Sequence, residues 1–143
     1  MTFDLGFFRV AVGPVAGAGA FLLLSGGRFP LSLPPPFGRA MVVRWVALGA
    51  AACLEEVVWR GMVLGGLLTR VGLWPALAVS SVGFAAWHWP SLRGRCAVHL
   101  VTGAAFGCAF LAGGLVAAML GHALYNLLVD WAVHAERARV RGP

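Results

Sequence analysis

Lysine is absent from this chain of 143 residues, and acids are scarce: five Asp and Glu stand against eleven arginines. Charged residues make up 11% of the sequence and hydrophobic ones 60%. A soluble domain carries about 25% charged residues, so this polar cover is too thin for a water-exposed globule. Cysteine is sparse and odd in number (Cys53, Cys96, Cys108), and each lies within or at the edge of an apolar segment. No disulfide framework is implied. The sequence also shows no repeat, no low-complexity tract and no second domain. It has no Gly-rich phosphate loop after a strand and no Ser–His–Asp arrangement. A formal charge of +6 can signal nucleic acid, but these arginines are scattered between apolar runs rather than gathered on one face. No nucleic-acid partner is expected, and the basic balance reads as membrane flanks.

What the chain does have is apolar runs of 17 or more residues, long enough for membrane helices. The expected fold is therefore all-α, a polytopic transmembrane bundle of about five spans forming a single domain over residues 1–143. The first span covers about Val10 to Ser25. Its Ala-Gly-Ala-Gly-Ala stretch resembles a signal-peptide cleavage region, but Phe21 and the leucines after it carry the apolar run onward, so a retained span is expected. A loop follows, in which Pro34, Pro35 and Pro36 exclude helix. The second span is Trp45–Leu68, and Arg70 with Gly72 marks a turn. Pro75 suits the first turn of the third span, which Pro90 ends after Trp89. The fourth covers about Cys96 to Ala112, Gly113-Gly114 turns the chain, and the fifth runs from Leu115 to about Val133. Small residues recur at a spacing of four (Gly13 and Gly17, Gly61 and Gly65, Gly103 and Gly107), which lets helices approach closely in lipid. One set of loops and the tail hold Arg28, Arg39, Arg44, Arg93, Arg95, Arg137, Arg139 and Arg141. The other side holds Arg9 and Arg70. That asymmetry places the C-terminus in the cytoplasm.

Cys53-Leu-Glu55-Glu56-Val-Val-Trp-Arg60-Gly61 puts three charges inside the second span. A charge at mid-bilayer costs roughly 2.5–3.5 kcal/mol on translocon scales, so such groups face a protected interior. Glu56 and Arg60 are four apart with the acid N-terminal, the favourable order for a helical ion pair. Glu55 points about 100° away and meets Trp59 at that spacing. One acid thus reads as structural and its neighbour as free for chemistry. Cys53, about 200° round from Glu55, is a poor nucleophile candidate.

Two further constellations are polar. Phe84-Ala-Ala-Trp-His88 ends the third span, and His122-Ala-Leu-Tyr-Asn126 places two polar side chains one turn apart in the fifth. His99 and His134 lack a comparable companion in sequence. Singly, each feature has an ordinary reading: an ion pair, an interfacial histidine, a hydrogen bond of roughly 1 kcal/mol between helices. The six tryptophans read as interfacial anchors and packing. Together, an acid, two histidines and an amide on three spans form the inventory of a hydrolytic site.

In that order, Glu55-Glu56-x-x-x-Arg60, Phe84-x-x-x-His88 and His122-x-x-x-Asn126, the sequence resembles the CAAX-protease and bacteriocin-processing (CPBP, or ABI) membrane endopeptidases over about residues 40–130. The resemblance implies an intramembrane glutamic protease of a prokaryotic cytoplasmic membrane, with a membrane-associated protein or peptide as substrate. Glu55 and His88 would activate water, while His122 and Asn126 would stabilise the oxyanion. Glu56, Arg60 and Phe84 would support them. Members commonly have more spans, so this chain looks like a minimal version. The chemistry is consistent with the residue types, since peptide hydrolysis needs a base for water and donors where the carbonyl oxygen turns negative. No cofactor is expected. The chemical alternative is a zinc-dependent membrane protease using Glu55, His88 and His122 as a His₂Glu set, although no HExxH helix is present. Outside catalysis stand a proton-coupled carrier and a non-catalytic immunity or scaffold protein.

Overall fold

A computed structural model describes residues 5–28, 38–92 and 96–141. Pro34, Pro35, Pro36, Arg93 and Arg95 lie outside the described residues. Every regular element among those described is helical, so the fold is all-α. Helix α1 is Leu5–Leu24, starting earlier than Val10. α2 is Arg39–Glu56. The chain then passes into a π-helical segment, Val57–Leu64, and on into α3, Gly65–Val71. Gly72, at φ 81°, makes the turn into α4, Leu73–Trp87. A left-handed φ of this kind suits glycine because it carries no Cβ. Pro90 does not end the helical path as expected: it is the second residue of a short helix, α5, Trp89–Leu92. α6 spans Val98–Arg141 but breaks at Gly114, where φ is 79° and ψ −173°. Gly114 is thus the turn expected between the fourth and fifth spans. The basic tail, read as following the helix, is its last turns.

Contacts across the break give the helix directions. Phe106 stacks on His122, one residue eight before Gly114 and the other eight after, so the two halves of α6 fold into a hairpin. α1 runs parallel to the second half: Arg9 lies against Gly113, Gly13 against Ala117, and Gly17 against Gly121. A methyl added at Gly13 or Gly17 would collide with the carbonyl of Ala117 or Gly121. The Gly13/Gly17 repeat is therefore a true seam. Gly103 likewise admits Ser81, whose Cα would lie 3.1 Å from an added methyl. The Gly61/Gly65 repeat is not a seam, since the nearest atom from another element at Gly61 would be Leu115 Cδ2 at 3.9 Å. α2 runs antiparallel to the second half of α6, with Arg44 at Asp130 and Glu56 at His122.

Polarity is reversed relative to a water-soluble bundle. Val15, Leu23, Leu54, Met62 and Trp87 face outward, while Glu56, Arg60, Ser80, Thr102 and His122 are buried. An apolar surface of this extent marks contact with lipid or another apolar phase. Among the described residues one helical run, Val98–Val140, which includes the break at Gly114, is long and apolar enough to cross a membrane, and Phe8–Leu24 and Leu73–Trp87 are shorter apolar helices.

Candidate active site

The two adjacent acids have different surroundings, as a 100° rotation on a helix dictates. Glu56 is fully buried. Its Oε2 lies 3.1 Å from Arg60 Nε, but neither atom finds hydrogen-bond geometry, so the contact is one of charge rather than an aligned bond. Arg60 Nη2 donates instead to the Gly103 carbonyl at 2.9 Å. Its guanidinium carbon lies 4.6 Å from the Phe84 ring centroid, within cation–π range. The other Glu56 oxygen receives a hydrogen bond from His122 Nδ1 at 2.8 Å. A carboxylate can only accept, so Nδ1 carries the proton, and the free edge of His122, Nε2, faces Glu55.

Glu55 keeps 28% of its side chain exposed. Its Oε2 lies 3.7 Å from His122 Nε2 and 3.9 Å from His88 Nε2. Both separations are too long for direct hydrogen bonds, and both imidazole edges converge on one carboxylate oxygen. His88 is set there by its position. As the C-cap of α4 it has φ −87° and ψ −5°, and its Nδ1 donates to the Phe84 carbonyl at 2.9 Å. Nε2 is thereby turned outward as an acceptor. Three of the four candidate catalytic residues, on α2, α4 and α6, thus meet at one point. Asn126, the fourth, lies one turn beyond His122 and lines a cavity of about 210 Å³ with Arg44, Leu48 and Asp130.

Phe84 is the hub. Its ring meets those of His88 at 4.8 Å, His99 at 5.5 Å and His122 at 5.6 Å, each time edge to face. His99, which has no companion in sequence, stacks flat on His88 with centroids 3.9 Å apart and planes 16° from parallel. His134 also has a partner: its Nδ1 donates to the Asp130 carbonyl at 2.8 Å. Asp130 is itself a buried acid, bonded by Arg44 Nε at 2.6 Å and Trp45 Nε1 at 3.1 Å, and sequence spacing alone did not single it out. Ser80 donates to the Trp59 carbonyl within the π-helical segment at 2.8 Å. Phe84–His88 and Asp130–His134 have the helical spacing of four. The contacts of His99, of Arg44 and Trp45 with Asp130, and of Ser80 instead join separate helices and have no period in sequence. Among the described residues, no group of three His, Cys, Asp or Glu side chains has the arrangement of a metal site.

A family profile described as Rce1-like, type II CAAX prenyl endopeptidase, matches residues 37–128, the stretch that carries all three motifs. The chain belongs to this family. It is therefore a membrane-embedded protein of a protease family, as the apolar exterior and buried polar centre require. Comparison with curated proteins and with solved structures found no match.

Proposed function

We propose that the protein is a five-pass intramembrane endopeptidase of the glutamic type, acting on a membrane-associated peptide without a metal. The observation carrying this reading is the convergence of His88 Nε2 and His122 Nε2 on Glu55 Oε2, next to an acid that is wholly engaged elsewhere. A water placed between Glu55 and His88 touches both an anionic acceptor and an imidazole acceptor. As its oxygen attacks the scissile carbonyl carbon, the water proton passes to Glu55, assisted by His88, and the carbonyl oxygen becomes an oxyanion. His122 and Asn126 are the donors for that oxygen. With Nδ1–H committed to Glu56, His122 donates through Nε2 only when doubly protonated, and two carboxylates face the ring in that state. Collapse of the tetrahedral intermediate breaks the C–N bond, and the proton held at the Glu55–His88 pair goes to the leaving amine. The turns at Gly72 and Gly114 and the alternating helix directions fit five crossings, and the arginine asymmetry puts the C-terminus in the cytoplasm.

The test is cleavage of a membrane-embedded reporter peptide by purified protein in liposomes. Glu55→Gln, isosteric but unable to take a proton, should fold and cut nothing. His122→Ala and Asn126→Ala should each lose roughly 10²–10³ in rate, the usual effect of removing one oxyanion donor. Wild-type turnover by a well-folded Glu55→Gln protein overturns the mechanism. Loss of activity on chelation, restored by zinc, would instead make Glu55, His88 and His122 metal ligands.

A further inference from the structure

His99 belongs to none of the three motifs and takes no part in the steps above, yet its ring lies flat against His88 at a 3.9 Å centroid distance. It comes from another helix, as the second residue of α6, and Phe84 braces it edge-on. Its Nδ1 is buried and makes no hydrogen bond to the described residues. Of the contacts seen, the aromatic one at its face is what ties His99 to the site.

The bond from His88 Nδ1 to the Phe84 carbonyl and the edge contact of the Phe84 ring set the His88 ring, and His99 lies against its face. Any rocking of the ring about its Cβ–Cγ bond carries Nε2 off the line to Glu55, and a flat neighbour at the ring face opposes that motion. We infer that His99 is a positioning residue of this centre, its ring face fixing the plane of His88 and thereby the aim of Nε2 at the water held by Glu55. The face does a second thing. When His88 shares the water proton it gains positive charge, and a neutral aromatic face at stacking distance attracts a cation. Both effects need a flat π-surface at position 99 and neither needs its nitrogens. Phenylalanine is therefore the conservative replacement, and leucine, apolar but without a π-face, the disruptive one. This inference rests on the protease reading for its kinetic consequence, but the ring contact can be read without any substrate.

The experiment combines cleavage of the reporter peptide in liposomes with imidazole NMR of isotope-labelled protein, the His88 signal being assigned by its loss in His88→Gln. His99→Phe should keep kcat within about threefold and leave His88 in one state protonated at Nδ1. His99→Leu should lower kcat by roughly tenfold to a hundredfold with KM unchanged, the size of effect expected when a reacting group is misaimed by about an ångström. The single His88 state should then broaden or divide. A His99→Leu protein with wild-type kcat and an unaltered His88 signal overturns the inference, as does a His99→Phe protein as impaired as His99→Leu. If wild-type protein cuts nothing, the protease reading fails alone, and the NMR comparison of the two variants still decides whether His99 holds His88.

Discussion

At Gly13, Gly17 and Gly121 the seam between α1 and the second half of α6 brings backbone against backbone. The junction of α2, α4 and α6 instead buries Glu56, Arg60 and His122 together. The first is held by proximity: with no side chain between them, the helices gain dispersion along their whole contact, the usual device where lipid offers no hydrophobic drive. The second is held by charge, and each charge is tolerable only because its neighbours are present. α1 lies outside the stretch that matches the protease family, whereas the charged junction lies inside it. The seam serves to build the bundle, and the junction gives it a polar interior.

The largest expected effect falls on the charged side. Glu56→Gln removes the carboxylate from a fully buried pair and strands the Arg60 guanidinium. Breaking such a pair costs about 3–5 kcal/mol, so thermal unfolding in detergent should show a much less stable protein with low folded yield. Glu56→Gln combined with Arg60→Met removes both charges, and part of the stability should return, since no unpaired charge is left buried although the Gln amide still is. A single Glu56→Gln variant that melts with the parent would show that Arg60 is satisfied without it, through Gly103 and Phe84.

The two junctions also differ in what the sequence could show of them. The seam was legible because small residues at a spacing of four mark one helix face, although the same spacing at Gly61 and Gly65 led nowhere. Glu55 was separable from Glu56 because helical geometry sends neighbours about 100° apart and only one finds an arginine four residues on. His99 was invisible: it touches His88 from another helix, eleven positions away, with no period linking them. The π-helical segment was equally hidden, since no residue of Val57–Leu64 marks a change from α to π hydrogen bonding. Asp130 has no signal in the sequence, because its partners Arg44 and Trp45 lie 86 and 85 positions away.

A smaller effect is expected at the seam. Gly17→Leu would drive a side chain into the Gly121 backbone, so the two helices must move apart. Overpacking of this kind costs about 1–3 kcal/mol, visible as a lowered melting temperature. The folded fraction should cleave the reporter with unchanged KM, because α1 supplies none of the residues around Glu55. An altered KM in folded Gly17→Leu protein would show that α1 shapes the substrate's path as well as the bundle.

The smallest effect probes whether the charged junction depends on its uncharged surroundings. Ser80, 1% exposed, donates to the Trp59 carbonyl at 2.8 Å, tying α4 to the π-helical segment that begins directly after Glu56. Ser80→Ala removes a donor and leaves a carbonyl with one acceptor site unfilled, a loss of about 1 kcal/mol for a neutral hydrogen bond. The methyl fits where the hydroxymethyl stood, so no repacking is required. The melting temperature should fall by a few degrees, since 1 kcal/mol corresponds to roughly 2–8 °C for domains of about this size. The informative quantity is kcat. α4 carries His88 eight residues after Ser80, two helical turns along, and the π-helical segment follows the turn that carries Glu55. If Ser80 merely adds stability, kcat of the folded protein stays at the wild-type value. If the bond sets the spacing between the two helices, Glu55 and His88 drift apart and kcat falls out of proportion to the small loss of stability. The geometry favours the first outcome, because Phe84, His99 and the Phe84 carbonyl all hold His88 independently of Ser80.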